Sequence, residues 1–201
     1  MKNYILISDA QQLFKESVAS LINKEIDKDY ICKQYCTYET LVQNVKAISG
    51  NIKLIILSTN LIDIGKINKR LPDLRTITKT PILVITSINS RFFAQEVIDS
   101  GATYCLVKTT SHERCKEVIN KILSGKQIAP FEESKSEIYS NKLTKRQYEV
   151  LSEIAQGMLN KQIANKLRIS ESTVKIHISS ILVKLSVNNR TEAVIKFFQE
   201  A

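Results

Sequence analysis

Near the C-terminus, the run ESTVKIHISSILVKL (residues 171–185) holds the side chains best suited to chemistry with a ligand. At helical steps of about 100°, Val174, Ile178, Ile181, Leu182 and Leu185 form one apolar stripe. The opposite face carries Ile176, Ser179, Ser180 and Val183, flanked by Lys175 and Lys184. Lysine donates to guanine O6 and N7, a serine hydroxyl meets donor or acceptor edges, and Ile or Val fits a thymine methyl group. A solvated helix seldom sets Ile and Val outward between lysines. The face therefore suits a DNA major groove, although a protein contact would use the same residues.

Other reactive side chains are few and scattered. Cys32, Cys36, Cys105 and Cys115 show no CxxC spacing, and only two histidines could complete a metal site. They read as small apolar residues: Cys32 and Cys36 share parity on one strand and Cys105 lies inside another. No metal or cofactor is expected, and no constellation of nucleophile, acid and base points to an enzyme. The chain has 29 Lys+Arg against 20 Asp+Glu, a net charge of +9, which suits a polyanionic partner. A Lys-, Ile- and Asn-rich composition could also reflect codon usage. From Asn141 onward there are ten basic and five acidic residues, so +5 of that charge sits in under a third of the chain. No apolar stretch approaches the roughly 20 residues of a membrane span, and MKNYILISDA lacks the features of a secretory signal. A cytoplasmic protein with reduced thiols is expected.

The elements that must position these residues come in two styles. Up to about residue 125, short apolar runs alternate with longer amphipathic stretches, five pairs in all. The runs are Tyr4–Ile7, Tyr30–Cys36, Leu54–Leu57, Ile82–Ile85 and Tyr104–Val107. Continuous apolar runs mark strands covered on both faces, with helices as crossovers; the second, less apolar, suits an edge. Helices are expected at Leu13–Ile22, Tyr38–Ala47, Ile62–Leu74, Phe92–Ile98 and Cys115–Leu123. The sum is a (βα)5 doubly wound α/β domain over residues 1–125. Gly125 closes the last helix, and Gln127–Ser140, polar, acidic and broken by Pro130, places a linker over 126–140. A small all-α, four-helix domain follows over 141–201: Thr144–Gln156, Lys161–Leu167, Glu171–Leu185 and Thr191–Gln199. Thr144 with Gln147 forms a capping box, and Asn160, Ser170 and Asn189 stand as N-caps. The middle pair, joined at Arg168-Ile169-Ser170, has helix-turn-helix spacing.

Over about 50 residues, LTKRQYEVLSEIAQGMLNKQIANKLRISESTVKIHISSILVKLSVNNRTEAV resembles the LuxR/NarL-type helix-turn-helix. The matching residues include Leu143-Thr144, Arg146, Glu149-Val150-Leu151, Gly157, Asn160-Lys161, Ile163-Ala164, Thr173-Val174-Lys175, His177, Lys184-Leu185 and Asn189 to Ala193. The resemblance implies that Lys175, Ile176 and Ser179 read bases and that Asn160, Lys161, Thr173 and Lys184 hold phosphates. Lys161 and Lys184 could also be plain surface charge, and His177 a packing residue. Ser186 replaces the usual glycine, and Ser179 stands where some relatives place a lysine, so no target sequence follows.

Residues 1–125 resemble the receiver domain of response regulators through Ile5 to Asp9, Leu13-Phe14, Val84 to Ser87 and Gly101-Ala102 leading to Lys108. In such a fold ligands sit beyond the carboxyl ends of the strands, where Asp9, Ser58, Thr86 and Lys108 would converge. A working receiver needs a phospho-accepting aspartate at the end of the third strand and paired acids at the end of the first for Mg²⁺. Those positions hold Ser58 and Ala10, and the aromatic switch position holds Cys105. The resemblance thus implies a pseudo-receiver with a degenerate pocket of Asp9, Ala10, Ser58, Thr86 and Lys108, in which Lys108 pairs with Asp9. The expected protein is a bacterial DNA-binding regulator, a homodimer on an inverted repeat of double-stranded DNA, acting without aspartyl phosphorylation. RNA polymerase or another regulatory protein is a further expected partner. Two alternatives are an interaction protein that titrates other regulators through its receiver-like surface, and a regulator that senses a ligand in the vacated pocket.

Overall fold

The structure, a computed structural model, describes residues 2–48, 51–59, 64–88, 91–126 and 143–199, which fall into two compact units. The expected linker, Asn141, and the side chain of Phe198 lie outside the described residues, as do the first residues of the expected third helix.

In the first unit five strands form one parallel sheet in the order β2-β1-β3-β4-β5. They are β1 (Asn3–Ser8), β2 (Tyr30–Tyr35), β3 (Asn51–Thr59), β4 (Ile82–Thr86) and β5 (Tyr104–Val107). Ile5, Ile7, Leu54, Ile56, Leu83, Ile85 and Leu106 share a core with Val18, Ile22, Val118 and Ile119. These last four come from α1 (Gln12–Leu21), the π-helical turn Ile22–Ile26, and α5 (His112–Leu123). Alternation along each strand sends Leu6, Ile55 and Val84 to the other face. The buried residues Leu41, Leu71 and Val97 come from the remaining helices, α2 (Tyr38–Ala47), α3 (Ile64–Ile77) and α4 (Arg91–Asp99). Both faces being covered explains why the runs are continuously apolar. β2 is an edge strand, as its mixed composition indicates.

Three expectations need correction. The third helix runs through Pro72 to Ile77, because Leu71 and Leu74 remain buried on its inner face. The fifth begins at His112, where the Ser111 side chain accepts from the Arg114 N–H as N-cap. Cys36 is not a buried strand residue: β2 ends at Tyr35, and Cys36 is exposed. A single side chain ties the far end of this unit together. Arg75 donates to the carbonyls of Gly101 (2.6 Å) and Thr80 (2.7 Å) and to the Thr103 hydroxyl. Gly101, at φ +113°, lets Arg75 approach, since a Cβ there would lie 2.8 Å from its Cγ.

The second unit comprises α6 (Lys145–Ala155), α7 (Asn160–Leu167), α8 (Glu171–Leu185) and α9 (Arg190–Gln199). Their shared core includes Val150, Leu151, Ile154, Ile163, Val174, Ile181, Leu185 and Ala193, with Tyr148 and Phe197 rings 5.8 Å apart. Among the described residues no helix is long and apolar enough to cross a membrane.

Candidate nucleic-acid interface and the degenerate pocket

α8 is oriented by its apolar stripe and its ends. Val174, Ile181 and Leu185 are fully or almost fully buried, which turns Lys175, Ile176, Ser179 and Val183 outward. Ile176 and Val183 are 67% and 79% exposed, among the most open large apolar side chains of the described residues. At its start, Ser170 Oγ accepts from the Thr173 N–H at 3.0 Å and meets Thr173 Oγ1 at 2.7 Å. The exposed ammonium of Lys175 stands 3.8 Å from Glu171, a loose i,i+4 pair that leaves it available to a stronger anion.

Gln147, which sequence reading treats only as half of a capping box, has a larger part. Its Oε1 accepts from the Thr144 N–H and from Lys184 Nζ, both at 2.9 Å, and its Nε2 donates to Ser180 Oγ at 2.8 Å. Ser180 therefore turns toward α6 and leaves the outward face, and Lys184 is half-buried and engaged within the unit. Asn160 is the first residue of α7 and not its N-cap. Leu159 occupies the cap position, where its N–H donates to Gln162 Oε1 at 2.8 Å. Arg190 donates to Asn160 Oδ1 at 3.3 Å and to the Met158 carbonyl, fastening α9 to the start of α7. Lys161 beside it is exposed. Asn189 caps α9, its Oδ1 accepting from the Glu192 N–H at 2.9 Å.

In the sheet unit Asp9 is buried and accepts from Lys108 Nζ at 2.9 Å. Lys108 also lies 4.7 Å over the Phe14 ring. Its N–H donates to the carbonyl of Thr86, a buried residue. Ser58 follows Leu57, the register partner of Ser8, and so lies beside Asp9 at the ends of β3 and β1. It lines a cavity of about 160 Å³ with Asp9, Ala10, Cys36, Thr59 and Arg70. Asp9 links the two groups of pocket residues: it lines the cavity with Ala10 and Ser58 and pairs with Lys108, whose N–H reaches the Thr86 carbonyl. Sequence reading missed the far wall. There Tyr38 donates to the Arg70 carbonyl at 2.6 Å, the guanidinium of Arg70 lies 4.9 Å over the Tyr38 ring, and Arg70 pairs with Glu39 at 3.1 Å. Burial pushes the Tyr38 hydroxyl above its ordinary pKa. No signal in the sequence pairs residues 38 and 70, which meet only when α2 and α3 pack.

A five-stranded parallel sheet of receiver type followed by a four-helix unit whose third helix, α8, presents an exposed face defines the class. Residues 141–197 match the family model described as bacterial regulatory proteins, luxR family. The chain is similar to the transcriptional regulatory protein DesR of Bacillus subtilis, at 31% identity over 195 residues, covering 96% of this chain and 94% of DesR. It is 37% identical over 131 residues to the nitrate/nitrite response regulator protein NarP of Escherichia coli, covering 59% of each chain. Among solved structures, the response regulator RcsB in a DNA complex shares the fold, with a TM-score of 0.55 and 19% identity over 98% of both chains. The chain belongs to the NarL/LuxR type of response regulators.

Proposed function

We propose that this protein is a transcription regulator that lays α8 in the major groove of duplex DNA. The observation carrying this reading is the outward face of α8, where Lys175, Ile176, Ser179 and Val183 stand exposed on a helix fixed by its buried stripe. Lys175, Ile176 and Ser179 read base edges; Lys161 and the N-terminal end of α8 near Thr173 hold phosphates. Asn160 and Lys184 also hold phosphates, Asn160 through its amide nitrogen with its Oδ1 taken by Arg190, and Lys184 by exchanging its bond to Gln147 for the anion. RcsB, which shares the fold, was solved with DNA bound. A single unit of this size reads few base pairs, so the protein acts as a homodimer on an inverted repeat with half-sites about one helical turn apart. Genome-wide mapping of bound DNA tests this: a two-fold symmetric motif is expected, and recovery of no preferred sequence overturns it.

The receiver-like unit works without aspartyl phosphorylation. Ser58 cannot form an acyl phosphate, and Ala10 leaves Asp9 as a single carboxylate, already paired with Lys108, where Mg²⁺ needs several oxygen ligands. Acetyl phosphate with Mg²⁺, or beryllofluoride, should leave mass, oligomeric state and DNA affinity unchanged. A phosphoryl adduct that alters affinity overturns this part of the reading.

A further inference from the structure

Gln147 of α6 is only 7% exposed, and its amide holds two residues of α8 at one place. Its Oε1 accepts from Lys184 Nζ at 2.9 Å and its Nε2 donates to Ser180 Oγ at 2.8 Å. The amide cannot be turned over, because Nε2, a donor only, would then face the Thr144 N–H and the Lys184 ammonium, both donors. Ser180 and Lys184 stand four residues apart on one side of the helix, so the amide sets a hydroxyl and an ammonium side by side. What Gln147 leaves free decides what the pair can bind. Lys184 is half-buried, yet among the described residues it makes no ion pair, whereas Lys166 and Arg146 of the same unit pair with Glu153 and Glu149. An ammonium has three donors, and a neutral amide oxygen takes one without cancelling the charge. Ser180 accepts from Gln147, so its own O–H is left to donate, and among the described residues no acceptor meets it. Free donors beside an uncancelled positive charge suit a group of acceptors that carries negative charge, as a phosphate does.

We propose that Ser180 and Lys184 form one site for a backbone phosphate of DNA at the edge of α8 beside α6, with Gln147 as its positioning residue. Gln147 holds both donors in place without neutralising either, and it gives up Lys184 to the anion because a neutral acceptor competes weakly with a charged one. Glutamate would fill the same space and keep the capping box with Thr144. It would nevertheless reverse the site: the carboxylate would pair with Lys184 and accept the Ser180 O–H, turning both donors inward. The neutrality of the amide, more than its shape, therefore keeps the site open to phosphate. This inference rests on the DNA-binding reading above and adds Ser180, with Gln147 behind it, to the groups that hold the duplex.

The test titrates the full chain onto a random-sequence duplex and onto the duplex recovered by genome-wide mapping, at several salt concentrations. Gln147→Glu should bind both duplexes about eightfold more weakly near 0.1 M salt and lower the salt slope by about one, as the loss of one phosphate contact requires. Its melting temperature should stay at or above that of wild type, since the cap is kept. Lys184→Gln should lower the slope by the same amount. Ser180→Ala should weaken both duplexes by about threefold or more, the loss of one hydrogen bond, with the slope unchanged because a hydroxyl displaces no counterion. Wild-type affinity and slope in Gln147→Glu overturn the proposal. Wild-type affinity in Ser180→Ala overturns the two-donor site, and that comparison stands even if Gln147→Glu fails to fold. A loss confined to the mapped duplex overturns the assignment to phosphate. Failure of the wild-type chain to bind either duplex overturns the DNA-binding reading itself, an outcome separate from a variant that binds as wild type does.

Discussion

In the helix-turn-helix unit the groups offered to a ligand stand outside the packed face: Lys175 and Ile176 are exposed on the same helix whose Val174 and Ile181 are completely buried. In the receiver-like unit the corresponding groups are inside, with Asp9 and Thr86 buried at strand ends. The difference decides how each region tolerates change. Substituting an exposed reader leaves the fold alone and alters only recognition. Removing a buried carboxylate changes the charge balance of a low-dielectric site, so the chemistry can be lost only if the remaining charges pair. The Asp9–Lys108 bridge is that pairing.

The largest effect should come from breaking the bridge. Lys108→Ala strands the Asp9 carboxylate, and removing one partner of a buried pair costs about 3–5 kcal/mol. With the Lys108 side chain still 17% accessible, the lower end applies, about 3 kcal/mol. Calorimetry should show the receiver-like transition falling by roughly 10 °C or more, with the helix-turn-helix transition unmoved. An unmoved receiver-like transition would show that the bridge contributes nothing and that the comparison drawn above is false.

Next in size is recognition. Lys175→Ala should lose about 1–3 kcal/mol on the preferred site and relax its sequence preference, whereas Lys161→Ala should weaken all DNA alike and lower the salt slope by about one. Binding titrations on specific and random duplexes at several salt concentrations separate the two. Equal losses on both duplexes for Lys175→Ala would remove it from the base-reading set.

Ser186 gives a smaller, opposite effect. It ends α8 at φ +53°, in the left-handed region that favours glycine. That conformation explains why relatives of the helix-turn-helix usually have glycine after the Lys-Leu pair. A left-handed non-glycine residue costs roughly 1–2 kcal/mol, part of which glycine gives back through the entropy of the unfolded chain. Ser186→Gly should therefore stabilise this unit by about 0.5–1 kcal/mol in denaturant titration, without changing DNA affinity. A loss of stability would mean that the serine side chain makes a contribution beyond its backbone.

Much of this arrangement was legible in the sequence because it follows from periodicity. The five apolar runs are the five strands, the stripe from Val174 to Leu185 orients α8, and Ser170 and Thr144 cap where their types suggest. Legibility stopped where a role depends on a neighbour distant along the chain. Lys184 and Ser180 look like outward residues by angle alone, yet Gln147 of α6 reaches both. Cys36 looked like a core thiol by parity, but the strand stops one residue earlier and Lys15 waits beneath it. Asn160 looked like a cap by type, and the chain enters α7 one residue sooner.

The smallest effect concerns exposed acids of the receiver-like unit. Hydrogen bonds from Lys121 and then Arg114 hold the Glu117 carboxyl down at about 2, and His112 and then Lys116 lower that of Glu25. A carboxyl depressed in the folded state adds stability above its unfolded value, near 4.3, and the contribution fades as pH falls through the folded value. Both groups sit in solvent, where such pairs are weak and screened by salt. Glu117→Gln should therefore be slightly less stable than wild type at neutral pH, and the gap should close as pH drops from about 4.3 toward 2. Denaturation midpoints of wild type and variant across that window, at low salt, measure it. A gap that stays constant through the window would show that Glu117 acts through packing or helix propensity and not through its charge. One that persists undiminished in about 1 M salt would point the same way, because an exposed ion pair cannot survive that screening.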